Sequence, residues 1–522
     1  MECMIKNMIE KIKTSINLLP LILISGILFS AHISENTAIK VANSIYVETE
    51  HLHENEGFSI RETEVLMDGG DNLIYIFHLS PKGFILVPAD NRAVPNLAFG
   101  YSHNFNTSDI SPSLNALLNN FKVDIKSFIT NPGNPVAEIS DKWNYYLSDS
   151  VEPSRERDVS PLLDAEFNQS GSWNNALAGA FGFNGPVGCV AVSMCQVMHY
   201  WGYPESGVGS NYYTENDFGY LEVDFEDAFY DFNNMASTYA TSASQLLLYH
   251  AGVSVNMDYD YSGSGAYVVG GYPSAFYSME NFFAYSDDIS FYRKDNYTTT
   301  EYRNIIKEEL NFNRPLISQG YDNGGYGGHA WNIDGYSGNN VHCNWGWGGS
   351  SNGYFNLTSM GGFPNDQAVI TNIIPATFSN PFALYEFSIN DLAVSFEDLS
   401  GIINEVEIGS WQWDFGDGSN SFVQSPSHTY EFGGSYEVSL KVVNIYGQES
   451  EAHIETIILE TGMMGDINSD EIINILDIVI VANFVLGADS PSSDEFISAD
   501  LNSDGLLNIL DIVTLANLIL GT

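Results

Sequence analysis

The chain predicts an α+β protein of several domains, continued by an all-β sandwich and closed by a small α-helical unit. Three observations carry that reading. Residues 160–376 set an apolar run with helical spacing ahead of strand-like segments, residues 380–460 alternate apolar and polar positions in short runs, and residues 463–522 repeat one motif at a period of 34. At 522 residues the chain exceeds one ordinary domain, so each unit is expected to bury its own core.

Taken in order, residues 1–31 read as a secretory signal peptide. Lys6, Lys11 and Lys13 precede an apolar stretch from Leu18 to Phe29, and small or polar residues follow from Ser30. An apolar run of about a dozen residues is short for a membrane span, which weighs against the alternative of an uncleaved anchor. No other segment is long and apolar enough to cross a bilayer, so the expected mature chain is secreted, extracellular or attached to the cell surface through a partner. The charge fits that setting: 66 acidic against 18 basic residues leave a net −48, which argues against nucleic-acid phosphates as a partner. Only 16% of residues are charged and 13% are aromatic, so the chain is expected to be folded almost throughout.

Residues 36–145 read as a small α+β unit. Asn72 to His78 and Gly83 to Pro88 are strand-like runs bounded by Ser80-Pro81 and Ala89-Asp90-Asn91, and Leu114 to Ile129 has helical spacing. Residues 146–159, with Arg155 and Arg157, read as an exposed processing linker.

Residues 160–376 hold the chemistry. Gly185, Pro186 and Gly188 break the chain just before Val190, Met194, Val197, Met198 and Trp201, so Cys189 is expected to open a helix, where the positive end of the dipole favours thiolate. Cys3 leaves with the signal peptide, and of the three remaining cysteines, Cys189, Cys195 and Cys343, an odd number leaves one thiol unpaired. Cys195 and Cys343 either join in a disulfide or remain two buried free thiols. His329, in Gly-Gly-His-Ala-Trp, begins a strand to Asp334; a turn through Gly-Tyr-Ser-Gly-Asn-Asn returns the chain into Val341 to Trp345 and brings Asn344 near His329. His342, inside the returning strand, reads as structural.

With those motifs in place, the segment from about 160 to 360 resembles the streptopain family of papain-like cysteine proteases. The likeness rests on Gly185-Pro-Val-Gly-Cys-Val-Ala-Val-Ser-Met-Cys-Gln-Val-Met198, Gly-Gly-His-Ala-Trp-Asn-Ile-Asp-Gly and Asn344-Trp-Gly-Trp-Gly-Gly349. It implies Cys189 as nucleophile, His329 as general acid and base, and Asn344 orienting the imidazole through its side-chain oxygen. Trp345 and Trp347 would shield that pair from water, Gly328 matches a backbone position that contacts bound peptide, and the three are the expected substrate-binding residues. The amide of Cys189 and the side chain of Gln169 would hold the oxyanion, with Gln319 a rival for the second donor. No cofactor is expected for catalysis, and the substrates are proteins or peptides. Lys82-Gly-Phe-Ile-Leu-Val-Pro-Ala-Asp-Asn-Arg92 resembles the family's inhibitory propeptide, implying a zymogen whose propeptide fills the cleft until cleavage between about 141 and 160.

Trp413-Asp-Phe-Gly-Asp-Gly418 with His428-Thr-Tyr430 resembles the PKD domain, an immunoglobulin-like sandwich for which a spacer role is the default expectation. The repeat resembles a dockerin. Asp466, Asn468, Asp470, Asn474 and Asp477 in the first copy, and Asp500, Asn502, Asp504, Asn508 and Asp511 in the second, occupy positions 1, 3, 5, 9 and 12 of a calcium loop, and the carbonyls of Ile472 and Leu506 would complete each shell. Two Ca²⁺ ions are therefore expected, as is a cohesin-type protein partner. Glu471 stands where the second copy has Gly505, so the first loop is expected to be the more strained. The rival reading is a catalytically silent adhesion or scaffold protein acting through these last two modules.

Overall fold

The computed structural model describes residues 32–521 apart from 54–56, 109–111, 132, 155–157, 322–326, 357–364, 379, 402–405 and 460–463. The signal-peptide segment 1–31, with Arg155 and Arg157 of the linker, lies outside the described residues.

The first unit is an antiparallel run of β1 (Ile60–Asp68), β2 (Asp71–Leu79), β3 (Phe84–Pro88) and β4 (Ala98–Gly100). Side-chain alternation divides β2 between two cores. Ile74 and Ile76 pack with Leu117 and Phe121 of the Pro112–Thr130 helix, while Tyr75 and Phe77 pack with Val41 and Ile45 of the Glu35–Glu48 helix. Both faces are covered, which is why this strand reads as a continuous apolar run rather than an alternating one.

Beyond a separate hairpin of β5 (Ser210–Glu215) and β6 (Gly219–Asp224), the second unit contributes β7 (Ser290–Arg293), β8 (Leu316–Tyr321), β9 (Gly328–Ser337), β10 (Asn340–Asn344), β11 (Gly353–Asn356) and β12 (Asn365–Thr371). Their order is β11-β10-β9-β8-β12-β7, and β4 pairs antiparallel with β11 through Phe99 opposite Tyr354 and Ala98 opposite Phe355. One ten-stranded sheet thus runs through both units. On one face the Cys189–Trp201 helix sets Val190, Met194, Val197 and Met198 against Leu247 and Leu248 of the Ser242–Ser254 helix and against Ile317, Ala330 and Ile370 of the strands. On the other, Trp331, Ile333 and Val341 meet Tyr302, Ile306 and Leu310 of the Thr299–Asn311 helix. Each large apolar side chain so buried contributes roughly 1.5–3 kcal/mol.

Strand β9 is longer than its sequence suggests. Gly335 pairs with His342 and Tyr336 with Val341, so the strand runs to Ser337 and the turn is confined to Gly338 and Asn339, with Gly338 at φ +53°.

The third unit is a sandwich of two sheets, β13 (Tyr385–Asn390), β14 (Ala393–Asp398) and β17 (Ser427–Thr429) against β16 (Asn420–Ser421), β15 (Ile408–Asp414), β18 (Gly434–Asn444) and β19 (His453–Leu459), closed over Tyr385, Phe396, Trp413, Val438 and Leu440. The last unit sets the Ile475–Val485 and Ile509–Leu520 helices around a fully buried core of Ile467, Val481, Ala499 and Leu515. Cys195 and Cys343 are both free and buried, which settles the disulfide alternative for free thiols. Among the described residues no helix is long and apolar enough to cross a membrane.

Candidate active site

Cys189 is the first residue of its helix, and Gly188 before it caps the helix at φ +95°. A side chain at Gly188 would be strained at that φ and would also strike Met257, its Cβ falling 2.6 Å from the sulfur. The loop ahead is pinned by Asn174 Nδ2, which donates to the carbonyls of Phe183 and Gly185, and by Ser264 Oγ, which donates to the carbonyl of Pro186 at 2.6 Å. The helix is clamped to β9 by two buried amides. Gln196 Nε2 donates to Asn332 Oδ1 at 2.8 Å, and Asn332 Nδ2 donates to the carbonyls of Ser193 and Leu316. With this clamp in place the Ala330 N–H donates to Cys189 Sγ at 3.4 Å, setting the sulfur beside the residue that follows His329.

His329 lies on β9 opposite Gly320, only 4% exposed. Its Nε2–H donates to the carbonyl of Trp345 at 3.1 Å; a carbonyl only accepts, so this bond fixes the proton on Nε2 and leaves Nδ1 as the basic nitrogen. Asn344 does not orient the ring. Its Nδ2 donates to the carbonyl of Ala165 at 2.8 Å and its Oδ1 accepts from the Gly346 N–H, so it shapes the turn that presents the Trp345 carbonyl. The orienting oxygen comes from the next residue's backbone.

Gln169 is placed by the Val187 N–H, which donates to its carbonyl at 2.8 Å, and the adjoining Phe167 carbonyl accepts from the Gly348 N–H. The segment therefore bridges the nucleophile loop and the Trp345–Gly349 turn. Its Nε2 is buried with no partner among the described residues, which is the condition of a donor waiting for an acceptor. The rival Gln319 is occupied: Oε1 accepts from the Val269 N–H, and Nε2 donates to the carbonyl and carboxylate of Asp366.

Cys189 and His329 open on one cleft of 380 Å³ whose walls include Val255, Tyr267, Tyr321 and Gly328. Trp345 and Trp347 do not line it. They stand around the imidazole with Trp331, at ring separations of 6.1–6.2 Å and interplanar angles of 21–26°, and the buried Trp331 and Trp345 screen it from water. No described residue between 36 and 145 lines the cleft either, so the expectation of a cleft-filling propeptide gives way to edge docking along β11. His342 Nδ1 lies 2.6 Å from Asp334 Oδ1, both buried and outside the cleft lining. Sequence reasoning missed Gln196, Asn332 and the Trp345 carbonyl; an uncharged amide amid apolar helix positions was the available signal for Gln196.

Burial decides the protonation states. It raises the Cys189 thiol above its ordinary value, against the N–H groups of Ala330, Cys189 and Val190 that favour thiolate. Burial also lowers His329 to about 4, against the Trp345 carbonyl that favours the imidazolium. Desolvation of the thiol thus works against the helix N-terminus here. A stability consequence follows from the sign. His329 and His250, both lowered to about 4 by burial, refuse protons that the unfolded chain takes up below its ordinary 6.5. Their contribution to stability is thus complete above about pH 6.5 and falls toward pH 4, by up to about 3 kcal/mol for each group. Urea midpoints measured across that window should drop with acid, and His250→Asn should shallow the slope; a flat profile would overturn the burial argument.

A thiol at a helix start and an imidazole on the adjoining strand, opening together on one cleft, make up the arrangement of a papain-like cysteine peptidase. Residues 167–355 match the Peptidase C10 family, and this segment is a C10 peptidase domain of the streptopain type. Residues 30–125 match the Spi protease inhibitor, 390–458 the PKD domain and 464–520 the dockerin type I domain. The chain is 28% identical to streptopain of Streptococcus pyogenes over 345 residues, covering 59% of this chain and 81% of that protein. It is 25% identical to the thiol protease/hemagglutinin PrtT of Porphyromonas gingivalis over 376 residues, 64% of this chain and 42% of that one. Among solved structures, a prointerpain A fragment of Prevotella intermedia superposes with a TM-score of 0.48 at 25% identity, covering 60% of this chain and 98% of the fragment.

Proposed function

We propose that this chain is a secreted cysteine endopeptidase made as a zymogen, and that Cys189 and His329 carry its chemistry. The observation that carries the reading is the opening of the Cys189 thiol and the Nε2-protonated His329 on one cleft, with Gln169 tied to the nucleophile loop through Val187 and its amide buried without a partner among the described residues. Substrate binding would bring a carbonyl to Sγ while His329 Nδ1 accepts the thiol proton. The resulting oxyanion would sit between the Cys189 N–H and Gln169 Nε2. His329 then protonates the leaving amine, and water, deprotonated by the same nitrogen, releases the thioester. Gly328, at the mouth, would bind the peptide backbone. A side chain there would meet the Tyr321 ring at 2.7 Å, so glycine keeps the path open.

The zymogen reading draws on the edge pairing of β4 with β11, the Phe99–Tyr354 ring stack at 4.9 Å, and the pairing of His103 with Glu166 at 2.8 Å, three residues before Gln169. The propeptide would act on the scaffold of the site rather than from inside the cleft. Its removal would need a cut before Val159, because Val159 and Leu162 are already hydrogen-bonded to Tyr336 and Asp334 of β9. For the C-terminal unit we propose two Ca²⁺ loops and a cohesin-type partner. The partner reading is supported by a duplicated exposed apolar patch, Ile475, Leu476 and Val479 matched at period 34 by Ile509, Leu510 and Val513.

The test is hydrolysis by the reduced, propeptide-free protein and its block by a thiol alkylator. Gln169→Ala should lower kcat by roughly 10²–10³-fold with the fold intact. Hydrolysis indifferent to alkylation would sink the assignment, as would full activity in Gln169→Ala for the oxyanion role.

A further inference from the structure

The Cys189–Trp201 helix begins at the cleft and ends against the PKD sandwich. Trp201 meets the ring of Tyr446 at 4.8 Å and that of Phe378 at 5.5 Å, both edge-on, and Phe378 and Tyr446 stack at 5.6 Å and 16°. Tyr446 sits in the turn between β18 and β19. At about 1.5 Å per residue the helix spans roughly 18 Å, so this contact holds the far end of the element that carries the thiol.

A second contact joins the same turn to the corner between the Thr299–Asn311 helix and β8. Arg314 Nη1 donates to the carbonyl of Tyr446 at 3.0 Å, while Nη2 donates to Glu309 Oε1 at 2.7 Å and the guanidinium lies 5.1 Å over the Phe312 ring. Glu309 and Arg314 are 6% and 7% exposed, and the other Glu309 oxygen accepts from the Asn372 N–H. Gly447 lies directly on Phe312: a Cβ at that position would fall 2.8 Å from the ring. The turn is shaped for this seat. Asn444 Oδ1 accepts from the N–H groups of Tyr446 and Gln448, and Gln448 Nε2 donates to the carbonyl of Phe378 at 3.1 Å.

Arg314 stands two residues before β8, which supplies Gln319 and Tyr321 to the cleft wall and pairs Gly320 with His329. The sandwich therefore touches the helix that carries the thiol and the corner leading into the strand that pairs with His329. We propose that the PKD domain is a fixed brace of the peptidase, seated through Tyr446 on Trp201 and Arg314, and that this seat positions the nucleophile helix and β8. A flexible spacer, the default for a module of this kind, would meet its neighbour through a small polar surface. Here an aromatic trio and a buried ion pair close the junction, and prising it open exposes both to water.

The test is hydrogen exchange and peptide hydrolysis on the full chain, before and after maturation. Tyr446→Ala leaves its own backbone bonds in place and removes the ring. It should raise exchange roughly tenfold at residues 199–202 and 312–316 and lower kcat/KM several-fold, with Tyr446→Phe behaving as wild type. Phe378→Ala, outside the sandwich core, should reproduce both effects if Tyr446→Ala folds poorly. Unchanged exchange in both alanine variants would overturn the brace, and raised exchange with unchanged kcat/KM would overturn its positioning role. The link to turnover rests on the Cys189–His329 reading; exchange does not, so an inactive wild type would refute that reading and leave the brace tested.

Discussion

Cys189→Ala is expected to abolish peptide hydrolysis and the chain's own maturation together, with a loss of at least about 10⁴-fold in kcat. The size follows from the arrangement. Removing Sγ leaves His329 without a thiol to deprotonate and the Gln169 donor without a covalent adduct to hold, so only substrate positioning survives. The fold should be unaffected: the side chain is small, and the helix is held by Gly188, Ser264 and the Gln196–Asn332 clamp instead. Maturation gives the second readout. N-terminal sequencing of secreted wild type should find a start between about 141 and 160 and before Val159, whereas Cys189→Ala should retain its propeptide. Cys195→Ser and Cys343→Ser alter buried packing without reaching the cleft lining, so they serve as controls that lose stability but keep the dyad. Retained hydrolysis in Cys189→Ala would refute the nucleophile, and a wild-type start before residue 100 would refute the proposed processing window.

Different parts of this site differ in how far sequence can carry them. Cys189 was readable because a helix start needs chain-breaking residues before it, and Gly188 is demanded twice, by φ and by Met257. His329 was readable as a strand start after two glycines. The orienting group was misassigned because a backbone carbonyl has no residue type: any side chain at 345 could present it, and Asn344 bore the likeness while serving the turn. Burial opposes the thiolate expectation through a tertiary quantity, since desolvation by packed neighbours is not a property of the nucleophile motif. Non-local pairing was equally hidden. Strands β4 and β11 lie some 250 residues apart, and nothing in Ala98–Gly100 announces that its free edge will extend another unit's sheet. The same holds for Tyr446, an ordinary turn residue until Trp201 and Arg314 arrive beneath it. Local propensity and alternation give elements; which edge meets which edge is set by packing.

Calcium removal should unfold the C-terminal unit while leaving the peptidase core intact. Between residues 463 and 522 there are ten acidic residues and not one Lys, Arg or His, so the buried carboxylates of Asp466, Asp477, Asp500 and Asp511 have no protein cation within their own unit. Among the described residues they are held by backbone donors: Asp477 accepts from Ile467, Asn468 and Asn474, and Asp466 from Asp470 and Glu471, with the second loop repeating most of the pattern at Asp511 and Asp500. Among the described residues no three acidic side chains are already grouped as a metal site, but the hard oxygens at positions 1, 5 and 12, of net charge −3, are the donors Ca²⁺ takes, and an ion bound there would offset both their repulsion and their desolvation. Asn474 and Asn508 are already engaged as helix caps to Leu476 and Leu510, so any contribution from them to an ion competes with the cap. With a fully buried apolar core of four residues, the unit has little else to stabilise it. Ca²⁺ at about 100 times its Kd would add about 2.7 kcal/mol per site. Chelation should therefore collapse hydrogen-exchange protection in 475–485 and 509–520 and leave 189–201 protected; unchanged protection in the C-terminal helices would count against metal binding. The two loops should also differ. Glu471 holds φ +64° with a side chain where Gly505 holds φ +76° without one, a cost of roughly 1 kcal/mol that binding at the first loop must meet. Glu471→Gly should accordingly tighten the weaker of two calorimetric sites about fivefold and leave the other unmoved.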